Sequence, residues 1–374
     1  MRMTMNPPGA PSSGKDWFTN RLHFSPPVAA ALAAALLFGA STPFAKQLLR
    51  DLSPVLLAGL LYLGSGIGLG LIRLARDRGW RKPVMPAREW LWLLLATGFG
   101  GMLAPLALML GLMTIPAATA SLLLNLEAVL TAVIAWVVFR ENTDRHIVLG
   151  MLAIVAGAVL LAWPDASPAT GRLGSGTLLI AGACLGWALD NNFTRKVSAT
   201  DALFVAGLKG GVAGIVNTGI ALALGAALPA APVLAEAMLV GLLGYGVSLV
   251  LFVLALRGLG TARTGAYFST APFLGAAIAV FALGEHAAPL FWLAAALMTT
   301  GVWLHLTERH EHTHTHEAIT HTHRHVHDVH HPHTHDFPWD GRELHTHEHT
   351  HAPISHCHPH YPDIHHRHRH DRAA

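Results

Sequence analysis

Residues 118–141 read ATASLLLNLEAVLTAVIAWVVFRE, and residues 264–285 read TGAYFSTAPFLGAAIAVFALGE. Each is a run of small and branched apolar residues that closes on a glutamate, Glu141 in the first and Glu285 in the second. Their separation is 144 residues, and each is followed by one further apolar run. Two such stretches in corresponding positions divide the chain into similar halves. Five apolar runs precede the midpoint and five follow it, at 27–48, 54–75, 89–111, 116–138, 146–163, 175–195, 202–227, 233–256, 264–283 and 287–306. Runs of about 18–25 residues match a ~30 Å hydrocarbon core at 1.5 Å rise per residue. Gly and Pro inside them (YLGSGIGLGLI, GFGGMLAPLAL) are tolerated in membrane helices, where neighbouring helices pack close and satisfy freed backbone groups.

Composition agrees. Only 13% of the 374 residues are charged, about half of the ~25% usual in soluble domains. Histidine separates two materials, since 23 of the 27 histidines lie between His310 and His370. The expectation is therefore an all-α membrane protein of ten transmembrane helices with a disordered C-terminal tail. Its units are an N-terminal arm (1–25), a first repeat (26–163), a second repeat (164–306) and a histidine-rich tail (307–374). Because each half has an odd number of spans, the second enters the membrane in the opposite sense. Inverted repeats of this kind characterise carriers whose substrate site lies near the midplane.

Lys and Arg set the orientation. With the N-terminus in the cytoplasm, that side receives Arg2, Lys15, Arg21, Arg73, Arg76, Arg78, Arg81, Lys82, Arg88, Arg140, Arg145, Arg195, Lys196, Arg257 and Arg263. The other side receives Lys46, Arg50 and Arg172. Fifteen against three places both termini in the cytoplasm. Two cysteines, Cys184 and Cys357, give no disulfide framework.

Four stretches, LLFGASTPFAKQLL (36–49), PAATASLLLNLEAVLTAVIAWVVFRE (116–141), WALDNNFTRKVS (187–198) and RTGAYFSTAPFLGAAIAVFALGE (263–285), resemble the EamA family of the drug/metabolite transporter superfamily. The resemblance covers residues 26–306 and stops before the tail. It implies a ten-helix inverted-repeat carrier of small organic solutes, often an exporter, in a bacterial inner membrane. It does not imply a substrate.

Polar residues inside the runs are the candidate site, because a charge at mid-bilayer costs roughly 2.5–3.5 kcal/mol on insertion scales. Glu127 lies at the middle of the fourth run, either facing a central cavity or packing protonated against a neighbour. Asn125 is two residues earlier, about 200° away around a helix, and so on another face. Asp190 and Lys209 lie at comparable depth in the sixth and seventh runs, and an ion pair would relieve both desolvation costs. Trp187 and Tyr267 offer aromatic faces with polar tips among small residues. Glu127, Asn125, Tyr267, Trp187, Asp190 and Lys209 are thus the expected substrate-binding set. Lys46 is expected to snorkel to the outer interface.

No catalytic motif is present. The chain has no Walker A sequence, GxSxG elbow or HExxH helix, so no enzymatic activity, required cofactor or nucleic-acid partner is expected. The tail alternates histidine with other residues: His310, His312, His314, His316, then His321, His323, His325, His327, then His345, His347, His349, His351. Successive imidazoles on one side of an extended chain suit Zn, Ni, Co or Cu. The partners expected are a small-molecule substrate, the bilayer and divalent metal ions at the tail, with a homodimer as an open option. Two alternatives stand beside a metabolite carrier: a divalent-metal efflux carrier, and a non-transporting, membrane-anchored metal sensor or store.

Overall fold

The computed structural model describes residues 26–79, 85–139, 145–163, 174–197, 200–259, 261–307 and four short segments of the tail, 311–316, 320–325, 345–350 and 354–359. The N-terminal arm, Glu141, His310, His327 and His351 lie outside the described residues.

The first half contains α1 (Pro26–Leu48), α2 (Pro54–Arg76), α3 (Ala87–Ala96), α4 (Ala104–Leu112), α5 (Ala117–Leu123), α6 (Leu126–Phe139) and α7 (Arg145–Ala162). The second contains α8 (Ser175–Thr194), α9 (Ala202–Ala223), α10 (Ala231–Gly241), α11 (Ser248–Leu259), α12 (Thr261–Phe268), α13 (Ala271–Ala277) and α14 (Pro289–Thr307). Seven helical stretches are long and apolar enough to cross a membrane, and two shorter apolar ones, Ala271–Ala282 and Pro289–Leu304, follow. Large apolar side chains such as Leu71, Leu94, Val137 and Leu152 stand exposed on the outside of the bundle. In water such a surface would be unfavourable, whereas lipid tails accept it.

Start signals are written locally. Ser53 caps α2, its hydroxyl accepting the amide of Leu56 at 3.4 Å, and Pro54 takes the first helical position. Asp201 caps α9 through the amide of Phe204 at 2.9 Å. The same carboxylate takes Arg76 of α2 at 2.8 Å, which ties the neighbouring ends of these helices.

Four spans are not plain α-helices, and the two kinds of irregularity each occur in both halves. A π-helical segment, Thr97–Leu103, joins α3 to α4, and another, Leu242–Val247, joins α10 to α11. Displaced by the 144-residue repeat, the first falls on 241–247. Likewise α5 and α6 are separated by a turn at Leu124–Asn125, and α12 and α13 by a turn at Ser269–Thr270. Discontinuous spans at matching positions are where carriers of this architecture place their sites. Hydroxyls add a second bond to carbonyls at the second break, Ser269 donating to Gly265 O at 2.8 Å and Thr270 to Tyr267 O at 2.6 Å.

The halves interlock: α2 lies along α9, α7 along α14, α4 along α8, and α1 against α11 and α13. Glycine makes the closest of these contacts. A side chain at Gly66 of α2 would strike the backbone of Gly210 and Gly211, and one at Gly210 would strike the backbone of Gly66. At Gly64 it would strike the carbonyl of Met238 in α10, and at Gly241 that of Leu61.

Four short segments of the tail are extended and pair as strands. β1 (Glu311–His316) pairs antiparallel with β4 (Ile354–Pro359), and β2 (Thr320–His325) with β3 (His345–Thr350). In this register His312 stands opposite His358, His314 opposite His356, and His321, His323 and His325 opposite His349, His347 and His345. Low apolar content argues against a packed core, but a two-stranded ladder needs none. Threonine alternating with histidine is the period-two pattern of a strand.

Candidate functional site

The interior polar groups gather where α8 crosses α4, α6 and α9. Glu127, in the first turn of α6, is half-buried, and one of its carboxylate oxygens accepts the side-chain amide of Asn191 in α8 at 2.8 Å. Asn191 itself is exposed. No ion pair reaches Glu127 among the described residues.

One residue earlier on α8, Asp190 faces another way. It is 7% exposed and Lys209 of α9 is 8% exposed, so both charges are withdrawn from solvent. Lys209 Nζ lies 2.5 and 2.7 Å from the two Asp190 oxygens, and Thr194 adds its hydroxyl to Asp190 at 2.8 Å. This is the pair the sequence leads one to expect. Gly100 makes room for it, because a side chain there would overlap the Asp190 carboxylate.

Gly100 contributes a second time. Lying within the π-helical segment, its carbonyl accepts both Tyr62 Oη at 2.7 Å and Trp187 Nε1 at 3.0 Å. A π-turn removes that carbonyl from the regular ladder and leaves it for side chains. An aromatic cluster extends from this point. Phe38 of α1 meets Trp187 edge-on at 6.2 Å and Tyr245 at 6.0 Å, Tyr62 lies 5.3 Å from Tyr245, and Phe268 lies 5.4 Å from Phe38.

Of the six expected residues, the structure brings together Glu127, Trp187, Asp190 and Lys209 around one stretch of α8. Asn125 does not join them. Its amide donates to Leu122 O at 2.9 Å and approaches Met298 Sδ of α14 at 3.9 Å, on the side away from Glu127. Tyr267 is half-buried on α12, and no side-chain bond ties it to these groups among the described residues. Sequence reasoning missed Asn191 as the partner of Glu127, and Tyr62, Phe38 and the Gly100 carbonyl altogether. The glycine-rich GFGG (98–101), matched by GYG (244–246) in the second half, was the available signal.

At the far end of the bundle, away from Arg73, Arg76 and Arg145, a second polar group replaces the expected snorkelling of Lys46. Its ammonium donates to the carbonyls of Leu112 and, at 3.2 Å, Ile115, at the C-terminal end of α4. Those carbonyls have no partner within their own helix, so a nearby cation satisfies them better than open water would. Glu285 accepts the amides of Ala117 at 2.9 Å and Ala118 at 2.8 Å, the first two of α5. Both side chains line a recess of about 340 Å³ with Gln47, Arg50 and Met113. Among the described residues no three His, Cys, Asp or Glu side chains stand together as metal ligands.

Spans built in two matching halves, broken helices at matching positions and a buried polar group between the halves define a polytopic membrane transporter. The EamA-like transporter family model matches residues 25–163 and again 174–307, and the chain belongs to that family. A transporter described as uncharacterized from Methanothermobacter thermautotrophicus is 30% identical over 288 residues, covering 73% of this chain and 84% of that one. A solved crystal structure aligns with 74% of this chain and 95% of its own at 19% identity, with a TM-score of 0.55, a likeness of fold alone.

Proposed function

We propose that the protein is a gradient-driven carrier exporting a small metabolite or amino-acid-like solute, with Glu127 as the charge that engages the cargo. The supporting observation is the Glu127–Asn191 contact, a half-buried carboxylate held between the two repeats with no cation paired to it among the described residues. A solute ammonium, or a coupling proton, is the counter-charge such a group takes. The rings of Phe38, Trp187 and Tyr245 supply apolar faces that favour a cation or an apolar side chain. Asp190 and Lys209 neutralise one another and act as a staple between α8 and α9. In this reading the two repeats are inverted in a bacterial inner membrane, and the basic asymmetry supports placing both termini on the cytoplasmic side.

The test is Glu127→Gln in reconstituted vesicles loaded with a panel of amino acids and amines. Loss of counterflow with unchanged thermal stability is expected. Parental rates from pH 5 to 8 would remove Glu127 from the transport path.

The tail is proposed to bind several Zn, Ni, Co or Cu ions through neutral imidazoles, which supports a regulatory role beside transport. The facing histidines in the two ladders favour this. Protonation competes with the metal, so binding weakens as pH falls through about 6.5. Titrating Zn into the purified protein and into a version ending at Thr307 checks it. Equal heats from the two at pH 7.5 would remove the tail from metal chemistry. Divalent-metal efflux is the second reading, since the same histidines would gather ions at the carrier mouth. Transport of metal that falls at low metal concentration on tail removal would favour it.

A further inference from the structure

We infer that Lys46 and Glu285 form a latch that holds the far end of the carrier shut by gripping the α4–α5 turn through its backbone. The turn, residues 113–116, is tied at both ends: a cation sits on the last carbonyl of α4, Leu112, and on that of Ile115 within the turn, and a carboxylate on the first amides of α5. These are the charge signs that the two ends of a helix attract. The ties come from different repeats, Lys46 from α1 in the first and Glu285, beyond α13, from the second. Separating α5 from the second repeat at this end therefore requires Glu285 to release its two amides.

Packing directly beneath the latch is close. Ser121, one turn farther into α5, is 1% exposed, and a side chain at Gly275 of α13 would come 2.9 Å from its hydroxyl. The opposing Gly39 of α1 meets the backbone of Ala271 and Gly275 in the same way. Three spans thus touch with no large side chain between them, and Ser121, Gly39 and Gly275 are not among the residues lining the recess. The other side of the molecule differs. Glu127 is half-buried and Asn191 exposed, so the central polar pair is packed less closely than the contact at Ser121. The latch is also suited to release. Lys46 and Glu285 are half-buried, and the backbone groups they hold border the recess, where water can replace them.

Cysteine accessibility tests this without knowing the cargo, so its outcome is independent of the solute proposed above. In a Cys184→Ala, Cys357→Ser background, Ser121→Cys reports the far end and Asn191→Cys reports the basic end. A membrane-impermeant maleimide is added to each face of the membrane in turn. The parent should label slowly at position 121. Losing the charge on the two amides through Glu285→Ala, about 0.3–1 kcal/mol, should raise that rate roughly two- to fivefold from the far face. Labelling at position 191 from the basic face should fall at the same time, because opening one end closes the other. Lys46→Met should act in the same direction, and Lys46→Arg, which keeps donors for both carbonyls, should stay near the parent. Unchanged labelling at 121 in Glu285→Ala would overturn the latch. So would a rise at both positions together, since that is general loosening.

Discussion

At the basic end Lys209 finds Asp190, a side chain against a side chain, both withdrawn from solvent. At the far end Lys46 and Glu285 hold the backbone of the α4–α5 turn, with no side-chain hydrogen bond to either among the described residues. The first arrangement leaves a bare buried charge if either member is removed. The second leaves neutral amides and carbonyls beside an open recess. Buried charge is thus committed at one end and exchangeable at the other. That contrast suits a staple and a latch respectively.

The sharpest way to break the comparison is Lys209→Met. Stranding Asp190 should cost about 3–5 kcal/mol of stability, read as a large drop in the thermal midpoint of the detergent-purified protein. Asp190→Asn combined with Lys209→Met should recover most of it. A single variant as stable as the parent would show that the pair is not desolvated. Gly100→Ala comes next, because its methyl group overlaps the Asp190 carboxylate. Overpacking of this kind costs about 1–3 kcal/mol, and the same melting experiment should show a smaller loss when Asp190 is already Ser. Glu285→Ala should lower stability by only about 0.3–1 kcal/mol, the usual worth of a charge at a helix end. A loss matching that of Lys209→Met would erase the distinction between the two ends. Thr194→Val should do least, because Lys209 remains on Asp190; about 0.6 kcal/mol is typical of one intramembrane hydrogen bond.

The same contrast explains what could be read in advance. Asp190 and Lys209 are both charges in apolar runs at comparable depth, so elimination pairs them. Glu127 stands out for the same reason, and the two-residue offset that turns Asn125 to another face is helix geometry. Backbone partners carry no such mark, since every residue has an amide and a carbonyl. Lys46 therefore reads in the sequence as a side chain snorkelling to the outer interface, and Glu285 as the end of a repeat. The π-helical segments were hidden too, because one extra residue in a turn leaves the apolar pattern almost unchanged.

Gly66 and Gly210, with Gly64 and Gly241, also constrain how this protein can evolve. When a larger residue enters an ordinary core, a neighbour can mutate to a smaller one and restore the fit. Here the obstructing atoms belong to the main chain: the backbone of Gly66 and Gly210, and the carbonyls of Met238 and Leu61. No codon change makes a main chain smaller. These positions have no second-site suppressor in side-chain size, so a lineage that loses one of these glycines regains the contact only by reversion or by shifting a whole helix.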